Sequence, residues 1–271
     1  MRELLIRAFS GLLYVTLLLL AIFSLEKAYM ILILIFGGIC LFEFQRLVHI
    51  KSILQYLLLV VFVLCFGYFR LSEKMTLFFL MITITVNMYL IKNLIRPSDE
   101  VLTKVQKHVY ALFYVLGGLV FMILLPSYQG VYTSYLVASI FGLIWINDTF
   151  AFIVGKSFGK HKLYEKISPK KTIEGFIGGL VFSCIASFFI YKYVYPQNLN
   201  LSLKLWILIA ILTSVFGTLG DLIQSQLKRQ AGVKDSGQLM PGHGGIYDRL
   251  DSILFASPFI YLFLIVLDYV S

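Results

Sequence analysis

The sequence predicts an all-α polytopic membrane protein with about nine transmembrane helices. Of the 271 residues, 59% are hydrophobic and only 14% are charged, whereas soluble domains carry roughly 25% charged residues. Apolar runs long enough to cross a bilayer, about 17 to 25 residues each, recur along the whole chain, and basic residues are concentrated in alternate loops. A separate soluble domain is therefore not expected.

Nine apolar runs define the predicted helices in chain order. They are expected at residues 8–25, 28–44, 53–69, 76–91, 109–125, 132–154, 173–194, 205–223 and 252–270. The first run follows a basic start, as in a signal peptide, but it is long and lacks a small-residue cleavage site, so we expect a retained helix. The first four runs contain little polar chemistry, with Glu43 at a boundary as the exception.

The distribution of basic residues predicts the orientation. With the N-terminus in the cytoplasm, most of the 23 lysines and arginines fall in cytoplasmic segments, as the positive-inside rule requires. We therefore expect a cytoplasmic N-terminus and an outside C-terminus. The protein is expected to be integral to the cell (inner) membrane, with its polar motifs on the cytoplasmic side. The net charge is +9, and its placement matters more than its size. No nucleic acid partner is expected.

A first polar cluster lies near the end of the sixth predicted helix, where Asp148 stands within the segment Trp145–Phe152. A carboxylate inside a membrane is costly unless it meets a cation or faces water. Asp148 is thus a candidate functional residue, and a packing pair with one lysine is the alternative interpretation.

A second cluster is the loop 155–175, which contains six lysines. Four polar residues are bunched where the seventh helix is expected to open: Ser168, Lys170, Lys171 and Thr172. A helix N-terminus offers free N–H donors and partial positive charge, which favour phosphate binding. Positive-inside bias or attraction to anionic headgroups would also explain the scattered lysines. The Walker pattern GxxxxGK[ST] is missing, so P-loop hydrolysis is not expected.

The third cluster, residues 216–251, is the most polar part of the chain. It holds the acids Asp221, Asp235, Asp248 and Asp251, and the bases Lys228, Arg229, Lys234 and Arg249. If the eighth helix continues past the membrane, Asp221 and Lys228 share one of its faces. Asp248 and Asp251 share the face that opens the ninth helix. Carboxylates without His or Cys partners favour Mg²⁺, as one ion or two.

The glycine-rich loop 241–245 separates these two helices. Its sequence, Pro-Gly-His-Gly-Gly, suits neither helix nor strand, and glycines let backbone N–H groups approach phosphate oxygens closely. We interpret His243, Gly244 and Gly245 as contacts to a phosphate or leaving group, with a solvated loop histidine as the alternative.

The motif from Ser225 to Asp251, with Lys228-Arg229 upstream of the Pro-Gly-His-Gly-Gly loop, resembles the signature of the phosphatidate cytidylyltransferase family. The blocks 145–151 and 168–175 are similar to two further blocks of that family. The resemblance implies an integral membrane enzyme that makes CDP-diacylglycerol and pyrophosphate from CTP and phosphatidic acid. It also implies a requirement for Mg²⁺, a metal centre at Asp221 and Asp248, and a homodimer.

This resemblance, with the chemistry above, predicts a role for each candidate. Asp221 and Asp248 are the expected metal ligands. Residues expected to neutralise phosphates are Lys228, Arg229, Lys234 and His243. Asp235 and Asp251 are expected to orient those phosphates. Expected contacts to the triphosphate or lipid headgroup are Ser168, Lys170, Lys171, Thr172, Asp148, Gly244, Gly245 and Arg249. The catalytic region is predicted at residues 109–271, while the helices of residues 1–108 serve packing or a lipid gate.

Two alternatives remain. A CTP-dependent lipid kinase of the dolichol or phytol kinase type shares parts of the C-terminal pattern and would transfer the γ-phosphoryl group to an alcohol. An ion or substrate carrier could use Asp148 and Asp221, but it would not need the glycine-rich loop or the lysine-rich segment.

Overall fold

The computed structural model describes residues 2–96, 102–194, 201–242 and 244–270. Within these ranges the chain forms nine helical segments and one short hairpin. The helices are α1 (Arg2–Ser24), α2 (Glu26–Leu47), α3 (Ile53–Tyr68), α4 (Glu73–Ile95), α5 (Lys104–Ser127), α6 (Ser134–Phe158), α7 (Ile173–Val194), α8 (Leu203–Gln230) and α9 (Tyr247–Val270). Their order matches the nine predicted segments, and α8 extends beyond its apolar run to include Lys228.

Among the described residues, eight of the helices are long and apolar enough to cross a membrane, and the apolar α3 is shorter. The predicted all-α polytopic membrane fold is therefore confirmed. The sidedness of the two termini, and the division of the chain at residue 108, stay predictions.

Helices α5 and α9 are the most buried in the bundle. Gly118 of α5 lies so close to α9 that an added Cβ would overlap the backbone carbonyl of Leu254. Ser257 donates a hydrogen bond across the same crossing to the Gly118 carbonyl, at 2.9 Å. Small interfacial residues allow such close packing where lipid offers no hydrophobic drive between helices. The crossing anchors α9 in the centre of the molecule.

A second close crossing joins α6 to α7. Cβ atoms added to Gly175 and Gly179 would clash with the backbone carbonyls of Ala151 and Asn147, so only glycine permits this separation. Asp148 of α6 is thereby brought beside the segment that precedes α7.

The crossing of α8 and α9 also depends on a glycine. Gly220 packs against the Asp251 carbonyl and the Phe255 side chain, and the rings of Phe216 and Phe259 stack with centroids 3.8 Å apart. Asp221, the neighbour of Gly220, is therefore held close to the first turn of α9.

The hairpin consists of β1 (Lys162–Tyr164) and β2 (Ser168–Thr172), which pair antiparallel with Lys162 opposite Thr172 and Tyr164 opposite Ser168. The interpretation of Ser168, Lys170 and Lys171 as part of the helix start needs correction. These residues are extended, because they pair with β1 in the hairpin. The helix α7 begins only at Ile173, with Thr172 as its N-cap.

Candidate active site

A cavity of about 340 Å³ lies among α6, α7, α8, α9 and the hairpin. Its walls combine residues from all three polar clusters of the sequence. The acids are Asp148, Asp221, Asp235, Asp248 and Asp251, and the bases are Lys170, Lys171, Lys228 and Arg249. The three glycine-dependent crossings explain this convergence, since each sets the separation of a helix pair that carries one or more of these acids.

Asp221 forms an ion pair with Lys171 of β2 and accepts a hydrogen bond from Ser225 Oγ at 3.2 Å. Burial lowers the pKa of Lys171, but the neighbouring Asp221 carboxylate outweighs that effect and holds the pKa above its usual value. Lys171 is therefore cationic at neutral pH, and it supplies positive charge to the cavity wall.

Asp248 accepts hydrogen bonds on both of its carboxylate oxygens. Its side chain is 5% exposed, and its Oδ1 lies 2.7 Å from Lys228 Nζ and 3.2 Å from Gln224 Nε2. Its Oδ2 accepts the backbone N–H groups of Ser236 and Gly245, each at 2.9 Å. These contacts fix the carboxylate between α8 and the glycine-rich loop.

Asp148 and Asp251 complete the acidic lining. Asp251 is 7% exposed and accepts the Ser252 N–H at 2.8 Å. Asp148 is open to the cavity, and Asn147 Nδ2 lies 3.4 Å from its Oδ1. The α6 and α9 backbones thus bring both acids to the cavity that Asp221 and Asp248 line.

The donor chemistry of this lining fits a hard cation, because the acids offer carboxylate oxygens without thiol or imidazole partners. Within the described residues, no three His, Cys, Asp or Glu side chains converge closely enough to form a metal site by themselves. Assignment of Asp221 and Asp248 as metal ligands thus stays a prediction that the chemistry of the cavity supports.

The other predicted substrate contacts are distributed unequally. Lys170 and Thr172 line the cavity, and Thr172 Oγ1 also accepts the Gly175 N–H at 3.1 Å as the cap of α7. Ser168 instead pairs with Tyr164 in the hairpin. The structure therefore brings the end of β2, rather than its beginning, to the acids.

Three predicted residues mark the edge of the site. Arg229 Nε donates to the Ile167 carbonyl at 3.3 Å, which ties α8 to the hairpin. Lys234 lines a neighbouring cavity of about 500 Å³ together with Arg46 and His49. Asp235 lies between the two, since it lines both cavities.

The glycine-rich loop approaches the site through its backbone. Gly242 and Gly244 adopt φ values of 77° and 85°, which glycine tolerates far better than other residues. Gly245 donates its N–H to Asp248, as described above. The prediction for His243 falls on a residue outside the described ranges, so its role as a phosphate contact stays a prediction.

Sequence reasoning missed Glu43 of α2 as part of this region. Its side chain is 3% exposed and accepts hydrogen bonds from Ser236 Oγ at 2.8 Å and from the Tyr247 N–H at 2.9 Å. The sequence did contain a signal for Glu43, because it is an acid at the end of an apolar run, where burial without a partner would be costly.

Comparison with known proteins places these features in a family. A family model described as "Cytidylyltransferase family" matches residues 5–267. A protein of Staphylococcus haemolyticus (strain JCSC1435) named phosphatidate cytidylyltransferase is 50% identical over 125 residues, which cover 46% of this chain and 47% of the relative. A protein of the same name from Staphylococcus aureus (strain COL) is 48% identical over 127 residues, with the same shares covered. The chain spans about half the length of the curated relatives it matches.

Proposed function

Because the chain belongs to the cytidylyltransferase family, we propose that it transfers CMP from CTP to phosphatidic acid, giving CDP-diacylglycerol and pyrophosphate. The observation that carries this proposal is the cavity in which Asp221 and Asp248 lie beside Lys171 and Lys228. Such a cavity, built on helices that cross a membrane, suits a reaction between a soluble polyanion and a lipid phosphate. The names of the relatives support the same substrates.

In the proposed reaction a phosphatidate oxygen attacks the α-phosphorus of CTP in line. A new P–O bond forms as the bond between the α-phosphorus and the bridging oxygen breaks, and pyrophosphate leaves with the bonding electrons. A phosphate monoester has a second pKa of about 6, so the nucleophile is already largely ionised at neutral pH. The site therefore does not need a strong general base.

The residues of the chain contribute mainly charge and position. Lys171 and Lys228 supply cations at the cavity wall, which lower the repulsion between two polyanions and stabilise charge that develops on the leaving oxygen. Arg229, Lys234 and His243 would extend this positive surface along the triphosphate. Holding both substrates in attack geometry supplies much of the remaining acceleration.

We propose Asp221 and Asp248 as ligands of Mg²⁺, with Asp148 and Asp251 available to a second ion in the same cavity. When bound, such a cation supplies Lewis-acid stabilisation of phosphoryl oxygens. Lys228 and two backbone N–H groups already hold the Asp248 carboxylate in place.

The apolar part of the cavity suits the lipid. Phe152, Leu163 and Phe176 line it alongside the charged groups, and Phe152 is 68% exposed on α6. We propose that the acyl chains stay in the bilayer while the phosphate reaches Lys170 and Lys171. We also propose a homodimer in the cell (inner) membrane with this cavity on the cytoplasmic side, which the distribution of lysine and arginine supports.

The test is turnover by purified protein in detergent with phosphatidic acid, labelled CTP and Mg²⁺. Pyrophosphate and lipid-bound cytidine are both measured, and Asp248→Asn is compared with Asp268→Asn, a control at the opposite end of the same helix. We expect both products from the wild type and the control, and neither from Asp248→Asn. CDP release with an alcohol acceptor would indicate the lipid kinase instead, and transport without nucleotide chemistry would indicate a carrier.

A further inference from the structure

A carboxylate from the N-terminal part of the chain reaches the start of the helix that carries Asp248. Glu43 of α2 accepts the N–H of Ile246 at 3.3 Å and that of Tyr247 at 2.9 Å, although 203 and 204 residues separate these partners in sequence. The first N–H groups of a helix have no partner within the helix and carry partial positive charge. Glu43 therefore caps α9 from another helix.

The same carboxylate also holds the segment before the glycine-rich loop. Ser236 Oγ lies 2.8 Å from Glu43 Oε2 and 3.0 Å from Asp248 Oδ2, so its single proton is within reach of both carboxylates. The Ser236 backbone N–H also donates to Asp248. Any displacement of Ser236 consequently moves a group that fixes Asp248.

Two glycines between α8 and α9, one before the glycine-rich loop and one in it, also lie against Glu43. A Cβ added to Gly237 would overlap Glu43 Oε1, and one added to Gly245 would overlap Glu43 Oε2. Neither glycine has a positive φ among the described residues, so backbone conformation does not require glycine there. A side chain at either position would have to displace the Glu43 carboxylate.

We propose that Glu43 is a positioning residue for the reaction. It holds Ser236 and the first turn of α9 in place, and this fixes the position of the Asp248 carboxylate in the cavity wall. Its effect on turnover rests on the function proposed above, whereas its effect on the loop backbone does not. Both effects can be measured separately.

The chemistry of the contact selects the variant. Three donors, from Ser236, Ile246 and Tyr247, converge on the two carboxylate oxygens of Glu43. Glu43→Gln keeps the shape of the side chain but replaces one of its two acceptor oxygens with an NH₂ group. That group is itself a donor and cannot accept a hydrogen bond from Ser236, Ile246 or Tyr247. The matched control is Gln45→Ala, since Gln45 is also buried in α2 but bonds to Ser52 and Gln55, away from the loop.

The first measurement is hydrogen–deuterium exchange of the peptide that contains Ile246 and Tyr247. We expect Glu43→Gln to raise the exchange rate at these amides by about tenfold or more, because hydrogen bonds to a charged acceptor are lost. Ser236→Ala removes one donor from the other side and should shift exchange in the same direction. Gln45→Ala should leave it unchanged. Equal exchange in Glu43→Gln and wild type would overturn the proposal.

The second measurement is turnover as a function of CTP and Mg²⁺. We expect Glu43→Gln to lower kcat by about tenfold or more and to raise the Mg²⁺ concentration for half-activation, with Glu43→Asp falling between it and the wild type. Gln45→Ala should keep kcat within about twofold even if it lowers the thermal midpoint. A Glu43→Gln enzyme with wild-type kcat and Mg²⁺ dependence would also refute the positioning role. A wild type without turnover would refute the proposed function, while the exchange result would still decide whether Glu43 holds the backbone at the start of α9.

Discussion

The crossing of α8 and α9 gives the sharpest test of how packing sets the site. A Cβ at Gly220 would lie 2.6 Å from Phe255 Cβ and 2.7 Å from the Asp251 carbonyl oxygen. Gly220→Ala must therefore separate the helices by about 0.8 Å to reach ordinary contact. Gly217→Ala, one turn earlier on α8, would place its Cβ 3.5 Å from Ser252, which is already ordinary contact.

Both variants exchange glycine for alanine within α8, but only Gly220→Ala places the new methyl group too close to α9. The change in helix propensity favours alanine by about 1 kcal/mol in each, so it cancels in the comparison. Overpacking costs typically about 1–3 kcal/mol, and a misplacement of about 1 Å can lower the rate about 10²-fold. We expect Gly220→Ala to unfold at a lower temperature than Gly217→Ala and to turn over about 10- to 100-fold more slowly.

Thermal unfolding in detergent and initial rates of lipid-bound cytidine formation measure these two effects. Gly217→Ala should keep the wild-type rate and an equal or higher midpoint. If Gly220→Ala matched Gly217→Ala in both assays, the α8–α9 crossing would not set the relative position of Asp221 and Asp251, and the packing argument would be wrong.

Three further outcomes are expected. Lys228→Met should lower turnover at least about 10²-fold, because it removes a cation from the cavity and leaves the Asp248 carboxylate without its lysine partner. The control Lys166→Met, in the exposed hairpin loop, should match the wild type in the same assay. Chelation with EDTA should abolish turnover and added Mg²⁺ should restore it, whereas activity that survives chelation would contradict the proposed metal ligands. Thr172→Ala should cost about 1 kcal/mol of stability through loss of the α7 cap, seen as a lower thermal midpoint than that of Thr149→Ala.

The sequence was sufficient to predict the helical segments and the acids that line the candidate cavity. Apolar runs predict α1 to α9, and eight of these described helices have membrane length, because the hydrocarbon thickness sets a length that can be counted along the chain. Asp148, Asp221, Asp248 and Asp251 were identifiable because an acid beside an apolar run is costly unless it has a partner. The spacing of Asp221 and Lys228 likewise followed from helix geometry alone.

The partners of these residues depend on tertiary structure. The pairing of Lys171 with Asp221, and of Lys228 with Asp248, is set by helix crossings that a pattern of apolar residues does not specify. The strand Ser168–Thr172 forms because β1 lies opposite it, although a lysine-rich segment before an apolar run is equally typical of a helix start.

What the sequence alone determined is therefore local: segment lengths, helix order and the residue types that can bind phosphate or a hard cation. Only the tertiary structure decided which of them meet, and Glu43 is the clearest example. Its contacts to Ile246 and Tyr247 span more than 200 residues of chain, and hydropathy and spacing report only on neighbours along the chain. Close helix packing at Gly118, Gly179 and Gly220 brings the acids of separate helices together around one cavity.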